Sequence, residues 1–524
     1  MPHGTEFAII IVFALTLAIG AATRLFSAKT KFPYTIAMLV LGLGVGYLLS
    51  SAILDLDTVR QNFEAAFAGT TDWHPHIKDY LVYALGSVQS VGPDLIIFIF
   101  LPALIFESAY AIDLHTFKKT VGPAIVFAVP ALLVATGLTG AVLYGLLDVA
   151  GWDWSAAFAE HGQEMMSIGK AEHMVEHGPL LACLLFGSLI SATDPVAVVA
   201  LLRELGVSKK MAHLIEGESL LNDGTAIVVF GVLLDLVVGQ HFDAGHTLVH
   251  FLGVVAGGLT VGLTLAIVGS WWIGRTFNDP MVEITLTIVL GYSAMMIAEG
   301  LLHVSGVMAI VAAGLWLGGP GRTKVSPEVS HFLHHFWELL AYLANTLIFF
   351  LVGIVIGTQV GSAEPFDFAI IGIVYVAIMV LRFGITHAFR PFANMFGDPI
   401  NVNDVAVVSW GGLRGAVSMA LVLVVANNEM VPGPVGQKML LLAAGVVFLT
   451  IAFNGMTMGK LLNVLGYDKP PLSEELATLS ARAAVLDKVR SGIEEVRNSR
   501  DLRTVSWGEV EKDVVERRAG LDVS

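Results

Sequence analysis

From residue 7 to about residue 465 the chain is a series of long apolar blocks separated by short polar stretches. Thirteen blocks stand out: 7–26, 33–53, 92–111, 119–147, 180–202, 212–239, 247–274, 280–302, 305–320, 333–358, 366–388, 403–428 and 435–465. A helix that crosses a bilayer needs about 20 apolar residues at about 1.5 Å rise each. Most of the blocks meet that length, and 305–320 is the shortest. A soluble domain cannot keep so many apolar segments in water. The pattern therefore predicts an all-α polytopic membrane protein of about thirteen transmembrane helices. The first block resembles a signal peptide in hydropathy, but Met1–Glu6 carries no Lys or Arg and no small-residue cleavage site follows. It reads as a retained helix.

Charge tests the count. Alternate connections carry Arg24, Lys29 and Lys31; Lys118 and Lys119; Arg203, Lys209 and Lys210; Arg275; Arg322 and Lys324; and Arg390. The intervening connections carry only Arg60, Lys78 and Lys170, so the split is 12 to 3. By the positive-inside rule the N-terminus lies outside and the segment after Lys460 is cytoplasmic. An odd number of spans preserves this alternation. The expected organisation is a transmembrane domain over 1–465 and a short cytoplasmic tail over 466–524, with apolar residues at helical spacing around Leu476–Val496.

Composition removes other classes. Apolar types make up 55% and charged types 14% of the 524 residues, against roughly a quarter charged in a soluble domain. A net charge of −15 excludes a nucleic-acid binder of the basic-patch kind. One Cys excludes a disulfide scaffold or a cysteine-ligated cluster. The two long outer loops, 54–91 and 148–179, hold His74, His76, His161, His173 and His177. These read as solvated loop histidines before they read as a surface metal site.

Ionisable residues inside a span are costly and mark function. Thr193 and Asp194 precede Pro195 within block 180–202. Proline removes a helix donor and disfavours helix at the residue before it, while Asp or Thr ahead of Pro is a helix start. A helix start at mid-membrane means a broken helix lining a cavity. In Glu216–Thr225, Ser219 and Asp223 lie one turn apart on one face, with Glu218 and Asn222 on the adjacent face. A hydroxyl and a carboxylate are the oxygen ligands a hard cation takes. Arg414 sits midway along block 403–428 among Gly411, Gly412 and Gly415, which predicts a second broken helix. A buried Arg keeps its proton and needs an acidic partner or exposed carbonyls. Glu107, near the inner end of its block, is either an ion-site residue or an interfacial one. Glu299 and His303, Asn345 and Asp235 read as helix–helix hydrogen-bonding groups, and Glu283 and Glu338 as boundary residues.

Two broken spans, one in each half, point to a transporter with inverted repeats and a midplane site. The repeats would run over about 7–239 and 280–465, so that the Asp194 and Arg414 spans correspond.

Thr193–Val198, Gly217–Asp223 and Gly411–Ala416, in this order, resemble the monovalent cation/proton antiporter family of NhaP-type antiporters and sodium/proton exchangers. The resemblance covers about 7–465. It implies an NhaA-like antiporter fold, with a six-helix core and a dimerisation panel in each protomer of a homodimer, in the plasma (cell inner) membrane. It implies a transporter rather than an enzyme, without a cofactor, whose partners are Na⁺ or Li⁺, H⁺ and the bilayer. Asp223 would carry cation and proton in competition. Asp194, Thr193 and Ser219 would complete a Na⁺ site, with Glu107 assisting through water. Glu218 and Arg414 would form a buried ion pair. The Asn222–Asp223 pair implies electroneutral exchange, one cation for one proton.

Two departures from the family pattern stand out. Glu299 precedes His303 by four positions where many relatives have three, and the tail is short beside those of the animal exchangers. A K⁺/H⁺ exchanger of the same fold is the alternative, because ligand type does not separate Na⁺, Li⁺ and K⁺. An intramembrane protease using Asp194 and Asp223 would lack a Gly-x-Gly-Asp sequence and leave the buried Arg unexplained. A channel sits poorly with an odd number of spans and two broken helices.

Overall fold

The computed structural model describes residues 3–30, 33–50, 96–166, 172–195, 198–199, 202, 209–238, 244–276, 279–360 and 364–467, with 476, 479–485 and 487–488 in the tail. Among these residues the chain is helical throughout, without a strand. The helices are α1 (His3–Thr30), α2 (Tyr34–Ser50), α3 (Leu101–Ala111), α4 (Leu114–Val126), α5 (Leu132–Ala150), α6 (Trp154–Met166), α7 (Glu172–Ser191), α8 (Lys209–Val237) and α9 (Ala244–Ile273). They continue with α10 (Pro280–Met295), α11 (Gly306–Gly318), α12 (Pro327–Val360), α13 (Pro365–Ala393), α14 (Val402–Gly411), α15 (Ala416–Ala426), α16 (Gly433–Leu449) and α17 (Met456–Val464).

Each of the thirteen apolar blocks contains helix among its described residues. Among the described residues seven helices are long and apolar enough to cross a bilayer, and six shorter apolar helices accompany them, so the thirteen crossings stay an expectation. The outer loop 54–91, with His74 and His76, lies outside the described residues, as does most of the tail segment Leu476–Val496. The second outer loop is not loop throughout: α6 occupies its first half and carries His161, and α7 begins at Glu172.

The helix starts follow local chemistry. Pro280 opens α10, and the Asp279 carboxylate accepts from the Val282 N–H at 3.3 Å. Ser305 caps α11 by accepting from the Met308 N–H at 3.2 Å. Asp404 accepts from the Asn401 N–H at 2.7 Å at the start of α14. Single π-helical turns interrupt or extend four helices, including Phe127–Ala131 between α4 and α5, which contains Pro130.

Packing sorts the helices into two groups. In one, α2 lies against α12, α9 against α11, and α3 against α11 and α12. Gly42 and Gly46 face Gly353 and Gly357 there, so the α2 and α12 backbones touch. In the other, α7 packs on α5 and α8, α8 on α4, α13 on α5 and α14, and α15 on α16. This second group, the core, carries both interruptions. A bilayer offers no water to open backbone groups, so each broken end must be satisfied by side chains.

Several boundary expectations change. Glu283 lies in the first turn of α10, at a helix boundary as expected, but it is fully buried there and accepts from the Ser326 N–H at 2.9 Å and the Ser326 hydroxyl at 2.5 Å. Glu338 is exposed and pairs with His335 at 3.2 Å. Glu299 does not bridge two helices side by side. It accepts from the Gly306 N–H at 2.9 Å and so fixes the turn in which His303 takes φ 52°. Asp235 is exposed and Asn345 half-buried, and neither makes a side-chain hydrogen bond among the described residues.

Candidate ion-binding site

α7 ends at Ser191, and residues 192–195 leave the helix before Pro195. α14 ends at Gly411, residues 412–415 are non-helical, and α15 begins at Ala416. Both breaks fall where proline and glycine make helix costly. The two open segments cross: the Asp194 N–H donates to the Leu413 carbonyl at 2.8 Å in an isolated antiparallel bridge. The crossing is close enough to require glycine. A Cβ at position 415 would collide with the Asp194 side chain, and one at 412 with the Arg382 guanidinium.

Side chains from other helices satisfy the broken end of α7. Arg414 Nη1 donates to the carbonyls of Ser191 at 3.0 Å and Ala192 at 3.4 Å. Asn222 Nδ2 donates to the Ser191 carbonyl and to Thr193 Oγ1, both at 3.0 Å. The Ser219 hydroxyl donates to the Thr193 carbonyl, and the Ser418 hydroxyl reaches the Ala192 carbonyl at 3.4 Å. On the other interruption, Asn454 Nδ2 donates to the Trp410 carbonyl at 3.2 Å, and the Arg414 N–H donates to Thr450 Oγ1 at 3.3 Å.

One sequence expectation is corrected. The ion pair of Glu218 is made with Arg382, whose Nη2 lies 3.3 Å from both carboxylate oxygens, and not with Arg414. The reason is geometric. Arg414 is committed to the α7 carbonyls, whereas Arg382 projects from α13 through the gap left by Gly412. Sequence reasoning passed over Arg382. It lies inside block 366–388, so the rule that singles out Arg414 applies to it equally, but only Gly384 stands near it in place of the three glycines around Arg414.

The remaining site residues gather around the crossing. Thr193, Ser219, Asn222, Glu218 and Arg414 are each at most 4% exposed. Asp223 lies on α8 one turn after Ser219. Its Oδ1 is buried and has no hydrogen-bond partner among the described residues. Asp194 and Glu218 are the acidic side chains that act on it electrostatically, and the Thr193 backbone faces it. Glu107, on α3, is half-buried and within electrostatic reach of Asp194, Glu216 and Glu338. The structure thus brings Asp223, Asp194, Thr193, Ser219 and Asn222 together and places Glu107 across the seam between the two helix groups.

The hydroxyls of Thr193 and Ser219 keep acceptor lone pairs although each already takes part in a hydrogen bond. Together with the Asp223 and Asp194 carboxylates they would offer oxygen donors only, the type a hard cation takes.

Comparison with known proteins agrees with this chemistry. Residues 11–464 match the family model described as "Sodium/hydrogen exchanger, transmembrane". Sodium/hydrogen exchanger 7 of Arabidopsis thaliana is 32% identical over 510 residues, covering 96% of this chain and 40% of that protein. The chain therefore spans about two fifths of that plant relative. The Na(+)/H(+) antiporter ApNhaP of Aphanothece halophytica is 28% identical over 501 residues, covering 95% of this chain and 82% of that protein. The structure of the sodium proton antiporter MjNhaP1 from Methanocaldococcus jannaschii superposes with a TM-score of 0.61 at 19% identity, covering 88% of this chain and all of that one. The fold is that of the NhaP1 antiporter, and the chain belongs to the sodium/hydrogen exchanger family, whose members are monovalent cation/proton antiporters.

Proposed function

We propose that this chain exchanges Na⁺ or Li⁺ for H⁺ across the membrane, one for one, with Asp223 holding cation and proton in turn. The observation that carries this reading is the buried, unpartnered Asp223 Oδ1 beside two crossed, interrupted helices. An uncompensated carboxylate in a low-dielectric barrier is costly, so the site holds a proton or a cation and rarely neither.

Charge supports the stoichiometry. Read as ionised, Asp194, Glu218 and Asp223 face Arg382 and Arg414, which leaves one net negative charge among these five side chains at the crossing. One monovalent cation or one proton neutralises it. A neutral loaded core crosses the barrier in either state, and an empty one is held back by the cost of its charge. Asn222 contributes no charge and is occupied in holding the α7 terminus.

In this reading Asp194, Thr193 and Ser219 complete the Na⁺ site. Glu107 assists through water from the panel side. The six-helix core, drawn from two inverted repeats over about 7–239 and 280–465, moves against the panel by alternating access, with the N-terminus outside and the tail over 466–524 in the cytoplasm. The homodimer and the plasma-membrane location are carried by the family resemblance.

The test is flux in proteoliposomes loaded with a pH-sensitive dye, driven in turn by Na⁺, Li⁺ and K⁺. Dye responses to Na⁺ and Li⁺ that do not change when valinomycin and K⁺ set a voltage are expected. A response to K⁺ alone would assign the K⁺/H⁺ alternative, and voltage-accelerated Na⁺ flux would overturn the one-for-one stoichiometry.

A further inference from the structure

A chamber lies inside the core behind the ion site, between the Phe127–Ala131 turn with α5 on one side and α13 on the other. Its inner wall is Glu218, Asn222, Arg382 and Arg414, and Asp223 is not among its lining residues. The outer wall is largely apolar, with Leu132, Ala135 and Ile378 among its members. No residue of α1–α3 or α9–α12 lines it. The chamber is therefore built by the core alone.

Three polar atoms on the inner wall have no hydrogen-bond partner among the described residues: Arg382 Nε, Arg414 Nε and Asn222 Oδ1. Asn222 and Arg414 are 2% and 4% exposed, so bulk solvent does not serve them. Arg382 keeps 13% of its side-chain surface accessible although it sits midway along α13. A guanidinium with accessible surface at that depth cannot face hydrocarbon without a large cost. Two of the orphaned atoms are donors and one is an acceptor. That combination suits water, which donates and accepts, better than an anion, which only accepts. The space takes about two or three waters, at roughly 10–15 Å³ of water-centre room each.

We propose that this chamber holds a resident water cluster that completes the hydrogen bonding of Arg382, Arg414 and Asn222. The cluster is a structural part of the core. It lets Arg382 remain charged against Glu218 while Arg414 stays on the Ser191 and Ala192 carbonyls. Because only core residues line the chamber, the waters remain with the core whatever its position relative to the panel. The inference does not depend on which cation is carried, or on exchange itself.

The direct test is cryo-electron microscopy of the full chain in lipid nanodiscs, at a resolution that shows ordered solvent. Density peaks within hydrogen-bond distance of Arg382 Nε, Arg414 Nε and Asn222 Oδ1 are expected. An acyl chain in the chamber, a single anion bridging the two arginines, or a collapsed space with both Nε atoms bonded to protein would overturn the proposal. A second arm uses packing. Ala135→Leu and the milder Ala135→Val extend into the chamber. Filling a dry cavity with a side chain that fits it raises stability, whereas displacing bonded water lowers it. A melting temperature lower by several degrees for Leu, and by less for Val, is expected, with Ala135→Ser close to wild type. An unchanged or raised melting temperature for both apolar variants would show a dry chamber and overturn the proposal.

Discussion

The Asp194 N–H donates to the Leu413 carbonyl at 2.8 Å, so the two interrupted helices are joined main chain to main chain where each has lost its helical bonds. Everything else at the site is arranged around that crossing. Arg414, Asn222, Ser219 and Ser418 serve the carbonyls at the end of α7, and Asn454 serves one at the end of α14. Asp223 is left with a buried oxygen that has no hydrogen-bond partner among the described residues.

The closeness of the crossing can be tested at Gly415. A methyl group there would collide with the Asp194 side chain, which cannot move without disturbing the bridge. Overpacking of this kind costs about 1–3 kcal/mol. Gly415→Ala is expected to lower the melting temperature and to weaken Na⁺-driven flux several-fold. An equal substitution at Gly372, where a Cβ would meet nothing, is expected to be silent. Equal behaviour of the two variants in melting and flux would show that the crossing is looser than described.

The pairing of Glu218 gives a double-mutant test. Removing one member of a buried ion pair costs about 3–5 kcal/mol, because the other charge is stranded. Arg382→Gln and Glu218→Gln are each expected to lower the melting temperature, and the double variant to recover part of the loss. Arg414→Gln combined with Glu218→Gln is expected to be close to additive, since Arg414 hydrogen-bonds carbonyls. Recovery in the Arg414 combination and none in the Arg382 combination would restore the pairing expected from sequence.

How far the sequence was legible can be argued from these same residues. Pro195 and the glycines around Arg414 act on the backbone that carries them, so the breaks were readable locally. Ser219 and Asp223 share a helix face by periodicity alone, and so they too were readable. The partner of Glu218 was not. Arg382 is 164 positions away, and its approach depends on the missing Cβ of Gly412, which belongs to a third segment. Glu283 misled for a related reason. It stands at a helix start in sequence, yet Ser326, 43 residues on, folds back to cover it.

A third test concerns the outer ends of the core helices. Asp367 at the start of α13 is 2% exposed, lies 2.6 Å from Lys438 Nζ on α16, and accepts from the Trp152 indole at 3.2 Å. This ties the α5–α6 connection to α13 and α16. Charge-assisted hydrogen bonds of this kind contribute about 1.5–3 kcal/mol. Asp367→Asn is expected to lower the melting temperature while leaving the apparent Na⁺ affinity within about twofold, because the cluster touches no site residue. A shift in Na⁺ affinity without loss of stability would place Asp367 in the ion pathway instead.

The most direct measurement of the central claim is Na⁺-driven proton flux through Asp223→Asn in proteoliposomes, read beside its melting temperature. The amide keeps the shape of the side chain and removes the negative charge and the proton-binding carboxylate. The account predicts flux at the level of empty liposomes from a protein that melts at or above the wild-type temperature, because a buried charge has been relieved. Near-normal flux in a well-folded Asp223→Asn protein would contradict it and move the exchanging group elsewhere.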